Sequence, residues 1–426
     1  MSASTGRVFL HSGWDTSAMS AEQVEPRVNP LIRMALYLFV FSIPFEMPQR
    51  TIPVEIPTLT GAMFLLTTVL QPSVCFRRLP AAFLWFVAYL WAFGLVVLIN
   101  RVSYTTLVLQ LFVWMVQVIL LFWVGTNLMR SDRVVRGILL TLIIACTIRA
   151  ALQIFGIAVM TQDVYTGGAR VTMFGQNTNL TSMILAAGMA AVVGLQLNTS
   201  ARLPRMGILT WPLAALMGFA IIQSGSRGGL LSAALGLTVF ALRGSSIRQR
   251  VRNGLFALVA LVLLGWGAYQ TDVMRNRFEV AAVQGQLAGR EEIYPALADM
   301  FIEQPIFGWG PIANQFEIAR RIEDTEHERR DAHNLVGELL TSGGLFIAIP
   351  FLIGMGLCIR AAWRARHGAL ELVPLAILVA VLAGMVSGTW IAGKIVWLAL
   401  SIALAAGMFW SEPAQHPTPR HEMAGV

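Results

Sequence analysis

Charged residues are scarce in this chain of 426 residues: Asp, Glu, Lys and Arg make up 13% of it, whereas hydrophobic residues make up 56%. Ordinary soluble domains contain roughly 25% charged and about 45–50% apolar residues. The composition therefore excludes a soluble globular enzyme. About twelve membrane spans of roughly twenty residues each would account for the apolar excess. We expect an all-α, polytopic integral membrane protein.

Cysteine is also rare, with Cys75, Cys146 and Cys358 as the only examples. Three cysteines cannot all pair, and each lies in or beside a predicted span or turn, so we expect no disulfide. Residues 1–30 are polar and lack the apolar core of a removable signal peptide. We expect this segment to stay in the cytoplasm.

Sequence motifs for common cofactors are missing as well. The chain has no P-loop, no CxxC pair, no HExxH, no dinucleotide fingerprint and no Asp/Glu cluster with metal-ligand spacing. We therefore expect neither a cofactor nor a metal. The net charge of +8 does not indicate nucleic-acid binding, because the basic residues are scattered through loops between apolar runs.

Apolar stretches predict twelve transmembrane helices. They lie at 31–45, 56–71, 80–99, 105–127, 134–155, 178–196, 206–223, 228–242, 253–270, 335–359, 370–388 and 391–409. With the N-terminus inside, the alternate loops on the cytoplasmic side carry 18 arginines, and the short outer loops carry only Arg50, Arg101, Arg170, Arg227 and Lys394. The positive-inside rule therefore predicts cytoplasmic termini.

This topology divides the chain into five parts. They are an N-terminal cytoplasmic segment (1–30), nine helices (31–271), a large outer loop (272–334), three helices (335–410) and a cytoplasmic tail (411–426). The loop has seven arginines and twelve acidic residues, and a loop of this length is usually functional. We expect amphipathic helices in it: one that begins at Pro295 and stops at Pro305, and a solvated one over 317–331.

Arg227 stands in a tight turn between two spans, within the sequence Ser-Gly-Ser-Arg-Gly-Gly. The glycines allow close approach of a ligand to the backbone, and the following helix begins with free N–H groups, so the turn predicts an anion site. The alternative is an arginine that reaches for lipid headgroups. In the outer loop of Gly167 to Arg170, Arg170 is a weaker candidate for glycan or phosphate binding.

Arg290 lies just ahead of the predicted loop helix, where it can reach over the helix bundle towards Arg227. Two guanidinium groups suit a diphosphate. A local ion pair with Glu291 or Glu292 is the alternative for Arg290.

His333 and Asn334 lie where the long loop re-enters the membrane. A histidine there can accept a proton near neutral pH, and Glu338, a little over one helical turn further on, can orient it. His327 competes for this role but stands in a charged, solvated stretch. A lone histidine is more often structural.

These three motifs together resemble the O-antigen ligase/polymerase superfamily of polytopic bacterial membrane glycosyltransferases. The resemblance covers about residues 220–350: an S-R-G-G turn, then G-R before a helix that ends in P-x-x-G-x-G, then H-N with a later glycine. Asn177, in Gly-Gln-Asn-Thr-Asn before the sixth span, matches an asparagine-rich segment of that superfamily. Tyr294 stands where relatives often carry tryptophan.

The resemblance implies an enzyme of the bacterial inner membrane that acts on the periplasmic side, in lipopolysaccharide biosynthesis. The donor would be a glycan on undecaprenyl pyrophosphate, and the acceptor lipid A–core oligosaccharide. Arg227 and Arg290 would hold the leaving pyrophosphate, and His333 would take the proton from the acceptor hydroxyl. Substrate contacts would come from Arg170, Asn177, Tyr294, Asn334 and Glu338. Reaction by one direct displacement implies metal independence and inversion.

Three alternatives remain open at this point. A polysaccharide polymerase would use the same donor with a growing lipid-linked glycan as acceptor. A protein O-oligosaccharyltransferase would modify a hydroxyl on protein, although such relatives usually have an extra C-terminal region. A transporter of lipid-linked glycans predicts repeats and ionisable residues at the bilayer midplane, whereas Arg149 is the only basic residue well inside a predicted span.

Overall fold

The computed structural model describes residues 27–46, 55–101, 103–162, 170–199, 203–244, 246–284 and 289–411. Nearly all of the predicted cytoplasmic segments 1–30 and 411–426 therefore lie outside the described residues. So do Arg50 and residues 163–169 of the loop before Arg170.

Helices form most of the described chain. Those of the first half are α1 (Pro30–Ser42), α2 (Ile56–Thr67), α3 (Pro72–Cys75), α4 (Ala81–Ile99), α5 (Thr105–Leu128), α6 (Asp132–Ile154) and α7 (Thr178–Leu197). Those of the second half are α8 (Thr210–Gln223), α9 (Arg227–Thr238), α10 (Ile247–Tyr269), α11 (Asp272–Gln284), α12 (Arg290–Glu303), α13 (Ala313–Arg321), α14 (Leu335–Arg364), α15 (Val373–Gly384) and α16 (Lys394–Phe409). Short 3₁₀ turns extend several of them, at Ile43–Phe45, Thr68–Leu70, Gly207–Leu209, Val239–Leu242 and Ala365–His367.

Each of the twelve apolar stretches contains a helix, but the helices fall into two classes by length. Within the described residues, six are long and apolar enough to cross a membrane: α4, α5, α6, α7, α10 and α14. The other six are shorter apolar helices of 10–17 residues with their 3₁₀ extensions: α1, α2, α8, α9, α15 and α16. The chain is thus a mostly helical membrane protein, and the number of twelve spans stays a prediction.

The most buried long helix is α7, which packs against α8, α9 and α15. Small residues along it and its neighbours permit this, because helices that meet through Gly, Ala and Ser approach closely. A methyl group at Gly229 of α9 would come within 2.0 Å of Ser182 of α7, and one at Gly236 within 2.8 Å of Ala380 of α15. By contrast, only 6% of the 18-residue apolar segment of α10 is buried inside the protein, so this helix exposes large apolar side chains on nearly every face.

A two-stranded hairpin departs from the all-α prediction. β1 (Val159–Gln162) pairs antiparallel with β2 (Arg170–Met173), with Val159 opposite Met173 and Gln162 opposite Arg170. It follows α6 and precedes α7, so it lies at the end of the bundle where α7 begins. These strands are too short for periodicity in the sequence to distinguish them from loop.

The long loop contains three helices, and two sequence predictions about it are wrong in detail. α12 begins at Arg290, not at Pro295, which lies inside the helix. The predicted helix over 317–331 is instead α13, Ala313–Arg321, followed by turns. The third helix, α11, was not predicted. Leu297 and Met300 of α12 pack with Ile318 of α13 in a small hydrophobic cluster, which confirms the amphipathic character of the first helix.

The re-entering helix α14 is broken at Gly343 and Gly344, whose backbone angles are not helical. The chain from Pro305 to Gly310 lies against this break. Trp309 N donates to Thr341 O at 2.8 Å, Gly310 N to Ser342 O at 2.9 Å, and Leu345 N to Pro305 O at 2.8 Å. The loop backbone thus satisfies polar groups that the break in the helix releases, as a membrane environment requires.

Buried charge is concentrated at two further positions in the bundle. Lys394, the first residue of α16, lies 3.0 Å from Glu46 Oε1 and 2.9 Å from Glu55 Oε2, and so ties the ends of three helices together. Arg149 of α6 is fully buried and donates to Thr181 Oγ1 at 2.9 Å. The three cysteines are buried and unpaired.

Candidate functional site

The turn between α8 and α9 is held by serines. Ser226 caps α9 by accepting a hydrogen bond from Gly229 N at 2.9 Å. Ser224 Oγ lies 2.7 Å from Ser182 Oγ of α7, so the turn is fixed against the neighbouring helix. Arg227 follows as the first residue of α9, half-buried, with its Nη1 3.4 Å from the main-chain oxygen of Arg277.

The glycines of this turn serve packing within the protein. A methyl group at Gly228 would come within 2.3 Å of Ser387 Oγ, and one at Gly225 within 2.8 Å of Val273. Gly225 also has a φ of +64°, a conformation that glycine adopts without steric cost. Protein side chains thus lie beside both glycines, and close approach of a ligand to the backbone of this turn stays a prediction.

Arg170, at the start of β2, points its guanidinium at the same turn. Its Nε donates to Ser224 O at 3.4 Å, and its Nη2 to Asn179 Oδ1 at 3.3 Å. Burial, reinforced by the neighbouring charges of Arg277, Arg227 and Arg290, lowers the pKa of Arg170 to about 9. The hairpin thus places in the site an arginine that the sequence favoured only weakly.

Asn179 joins three parts of this region. Its Oδ1 accepts hydrogen bonds from Arg170 and, at 2.7 Å, from Ser226 Oγ, and its Nδ2 lies 3.5 Å from Ser387 O. The predicted residue Asn177 is exposed and caps α7, accepting from Asn179 N at 2.8 Å. A substrate contact of Asn177 stays a prediction, whereas Asn179 is a positioning residue that sequence reasoning missed.

Arg290, the first residue of α12, reaches across the loop to the bundle. Its Nη2 donates to Ser387 O at 3.2 Å, and its Nε is buried without a hydrogen-bond partner among the described residues. Its charge acts on both Arg227 and His333. Tyr294, one helical turn further along α12, is exposed on the same side of the helix as Arg290.

His333 precedes α14 and has a backbone φ of +49°. Its Nδ1 lies 3.7 Å from Asp331 Oδ2, and Asp331 Oδ1 accepts a hydrogen bond from the Thr389 hydroxyl. Burial lowers the pKa of His333. The charge of Asp331 opposes this shift, and those of Arg290 and Arg330 add to it. The imidazole is therefore neutral at neutral pH and able to accept a proton.

Asn334 and Glu338 support the start of α14. Asn334 Oδ1 accepts from Val336 N at 2.9 Å and from Gly337 N at 3.1 Å, the geometry of an N-cap. Glu338 is buried beside Asn314 and close enough to Asp331 for their charges to repel. The carboxylate that faces His333 is thus Asp331, two residues before it, and not Glu338 as predicted. His327, the rival base, is exposed and pairs with Asp324.

The connection between α15 and α16 contacts the segments that carry these site residues. α15 ends at Gly384, four residues before the predicted end of the span. The freed residues contact α14 through Met385 O, Arg290 and Asn179 through Ser387 O, and Asp331 through Thr389. The signal in the sequence was the polar run Ser387-Gly388-Thr389 inside an otherwise apolar stretch.

The arrangement combines arginines from four segments with a neutral histidine. The arginines are Arg170, Arg227, Arg277 and Arg290. Such a group can bind an anion of several charges and place a proton acceptor beside it. Within the ranges that the structure describes, no group of three or more His, Cys, Asp or Glu side chains is arranged to hold a metal ion.

Comparison with known protein families bears directly on this region. Residues 212–352 match the family model described as O-Antigen ligase. This part of the chain is therefore similar to the O-antigen ligase superfamily. The match covers 141 of the 426 residues and includes Arg227, Arg290 and His333. It confirms the resemblance predicted from the motifs and points to an enzyme family of glycosyl transfer. No curated protein matches the chain.

Proposed function

We propose that the chain is an O-antigen ligase, which transfers a glycan from undecaprenyl pyrophosphate to lipid A–core oligosaccharide on the periplasmic side of the inner membrane. The family match supports glycosyl transfer with a lipid-linked substrate. The observation that carries the proposal is that Arg290 and His333 meet at one connection. Arg290 Nη2 donates to Ser387 O at 3.2 Å, and the hydroxyl of Thr389, two residues further on, donates to Asp331 beside His333. This arrangement supports a site in which an anion ligand and a proton acceptor lie close together.

The proposed reaction is a single displacement. The acceptor hydroxyl oxygen attacks the anomeric carbon, and its proton passes to His333. The bond from the anomeric carbon to the phosphate oxygen breaks, and its electron pair stays with the pyrophosphate. Arg227 and Arg290 stabilise the charge that develops there, a contribution that preorganised donors supply without rearrangement. Displacement from the opposite face inverts the anomeric configuration.

Asp331 supports His333 in this step. Its Oδ2 lies near Nδ1, so it favours the tautomer with a proton on Nδ1 and a free lone pair on Nε2. The distance of 3.7 Å is longer than a hydrogen bond, and such contacts often shorten when substrate binds. Thr389 holds the other carboxylate oxygen and fixes the orientation of Asp331.

A transfer assay with the purified full chain tests the proposal. The reactants are a polyprenyl-pyrophosphate-linked oligosaccharide and lipid A–core, with excess EDTA in a parallel reaction. We expect a lipid A–core product with inverted anomeric configuration at equal rate with and without EDTA. Elongation of the donor glycan would favour a polymerase of the same superfamily. Movement of the donor across vesicles without transfer would favour transport.

A further inference from the structure

Arg277 is a buried arginine that the reaction above does not use. It lies in the middle of α11, and only 6% of it is exposed. Its Nε and Nη1 have no hydrogen-bond partner among the described residues. A buried guanidinium with unused donors is costly unless something binds it. The position therefore calls for a ligand with acceptor oxygens.

The surroundings of Arg277 are themselves positive. Its main-chain oxygen accepts the hydrogen bond from Arg227 Nη1, so α11 and the start of α9 touch at the site. Burial, and then the charges of Arg227 and Arg290, lower the pKa of Arg277 to about 10. After burial, the charge of Arg277 contributes most to the lowered pKa of Arg170. The guanidinium groups of these four arginines thus repel one another in a region that is partly shielded from solvent.

Within the described part of the chain no acidic side chain forms an ion pair with these arginines, and Glu291 is the acidic residue whose charge acts on Arg227. None of the ion pairs found there involves Arg170, Arg227, Arg277 or Arg290. Other arginines of the same loop do have partners: Arg275 lies 2.6 Å from Asp272, and Arg321 lies 2.5 Å from Glu303. The excess is therefore confined to the site.

We infer that Arg277 and Arg170 form a second pair of anion ligands, so that the site binds both phosphates of a diphosphate, one between Arg227 and Arg290 and the other between Arg170 and Arg277. The inference rests on the proposed function, in which a pyrophosphate leaves. In this arrangement Arg277 of α11 and Arg170 of the hairpin bind the phosphate that is not bonded to the sugar. A monophosphate would engage only one pair.

Two consequences separate this role from a structural one. Without ligand, the repulsion among the arginines destabilises the fold, so removal of one charge stabilises the free protein. With ligand, the same removal weakens binding. If Arg277 were a structural residue, its replacement would instead lower the stability of the free protein.

Thermal unfolding of the purified full chain, with inorganic pyrophosphate or inorganic phosphate as probe, tests the inference. The variants are Arg277→Met, which keeps the apolar stem, and Arg275→Met as control on the same helix. We expect Tm of the wild type to rise with pyrophosphate well beyond the rise with phosphate. Arg277→Met should start at an equal or higher Tm and bind pyrophosphate at least about tenfold more weakly, as loss of a charge-assisted hydrogen bond implies. Arg275→Met should bind as the wild type does.

Several results would overturn the inference. They are wild-type affinity for pyrophosphate in Arg277→Met, equal response of the wild type to phosphate and pyrophosphate, or no response to either. If Arg277→Met does not fold, Arg277→Gln removes the charge and keeps a polar side chain, and wild-type affinity for pyrophosphate with a lowered Tm would mark a structural residue. If pyrophosphate binding depends on Arg277 but the protein has no transfer activity, only the proposed function is contradicted. If Arg277→Met transfers glycan with an unchanged KM, only this inference is contradicted.

Discussion

Burial and neighbouring charges of both signs together set the protonation of His333. Burial lowers its pKa below the usual value of about 6.5. Asp331 raises the pKa, whereas Arg290 and Arg330 lower it further. A base with this pKa is neutral at pH 7, and it loses activity only when the pH falls through the lowered pKa. The rate of transfer should therefore fall on the acid side, below pH 6.5.

Substitutions of two flanking residues should move this acid limb in opposite directions. Asp331→Asn removes the negative charge that raises the pKa of His333, so the limb moves to lower pH. Arg330→Gln removes a positive charge that lowers the pKa, so the limb moves to higher pH. The measurement is the pH profile of kcat/KM for glycan transfer, which reports the free enzyme. Slower transfer in both variants with an unmoved limb would contradict His333 as the titrating base.

Replacement of Arg290 should directly weaken the stabilisation of charge on the leaving pyrophosphate. Arg290→Ala should lower the transfer rate on the order of 10²–10³-fold, as expected when one donor to a developing charge is removed. Arg329→Ala is the matched control, because Arg329 lies in the same loop and is exposed. The comparison is of initial rates with equal amounts of purified protein. A similar fall in both variants would indicate that the loop needs positive charge in general and not Arg290.

Among the elements, the break in α14 is what joins the long loop to the bundle. The loop passes so close that a methyl group at Gly308 would lie 2.6 Å from Gly343 N and from Thr341 O, both backbone atoms. Gly308 also has a φ of +59°, which a residue with a Cβ rarely adopts. Asn100 at the end of α4 donates to Phe307 O and Gly308 O at 3.3 Å, which adds a third element to the contact.

Gly308→Ala should therefore loosen the loop from α14. We expect a loss of stability of about 2 kcal/mol or more, the range for steric conflict combined with backbone strain. Gly356→Ala in α14 is the control, because a methyl group there meets nothing within 4 Å and alanine favours a helix. Thermal unfolding of both variants measures the difference. Equal Tm values would show that the loop contact at the break contributes nothing.

The sequence predicts the type of an element where a run of apolar residues is long. It predicts site residues where these lie at the ends of such elements. All twelve apolar stretches contain helices because twenty apolar residues have few alternatives in a membrane. The hairpin, α11 and the early start of α12 were missed, since these segments are short or have weak periodicity. Arg290, an N-terminal helix residue, was identified through its position, whereas Arg277 in a polar helix gave no signal.

The partners of the site residues could not be predicted for a different reason. Ser387, Thr389 and Asn179 come from segments far from His333 in the chain and reach the site only through the packing of α7 and α15 against α9. No local pattern encodes such a meeting. Helical spacing favours Glu338 as the partner of His333, but the chain around His333 is not helical, and Asp331 faces the imidazole instead.

At the scale of the whole molecule, the site residues share one end of the bundle. The starts of α7, α9 and α14 and the end of α15 all meet there. Arg78 and Arg130, which the predicted topology would place in the cytoplasm, meet instead at the ring of Phe409 near the end of α16, 5.4 Å and 5.6 Å from its centre. Separation of the two sets at opposite ends of α16 agrees with the predicted alternation of loops.

The predicted orientation has a direct test by chemical labelling. In a chain whose three buried cysteines are replaced by alanine, we expect Thr325→Cys in the long loop to react with a membrane-impermeant maleimide applied from the periplasmic side. Arg248→Cys, at the start of α10, should react only after the inner membrane is disrupted. Both positions are exposed, so access to the side chain itself does not differ. The reverse pattern would place the site in the cytoplasm.

Glycan transfer at this one site is tested most directly by lipopolysaccharide banding in a host that lacks its own ligase. The comparison is of the wild type with Arg227→Ala, Arg290→Ala, His333→Ala and the control His327→Ala, at matched membrane levels. We expect O-antigen ladders with the wild type and His327→Ala and none with the other three variants. Ladders of wild-type intensity with His333→Ala would contradict a role of His333 in transfer.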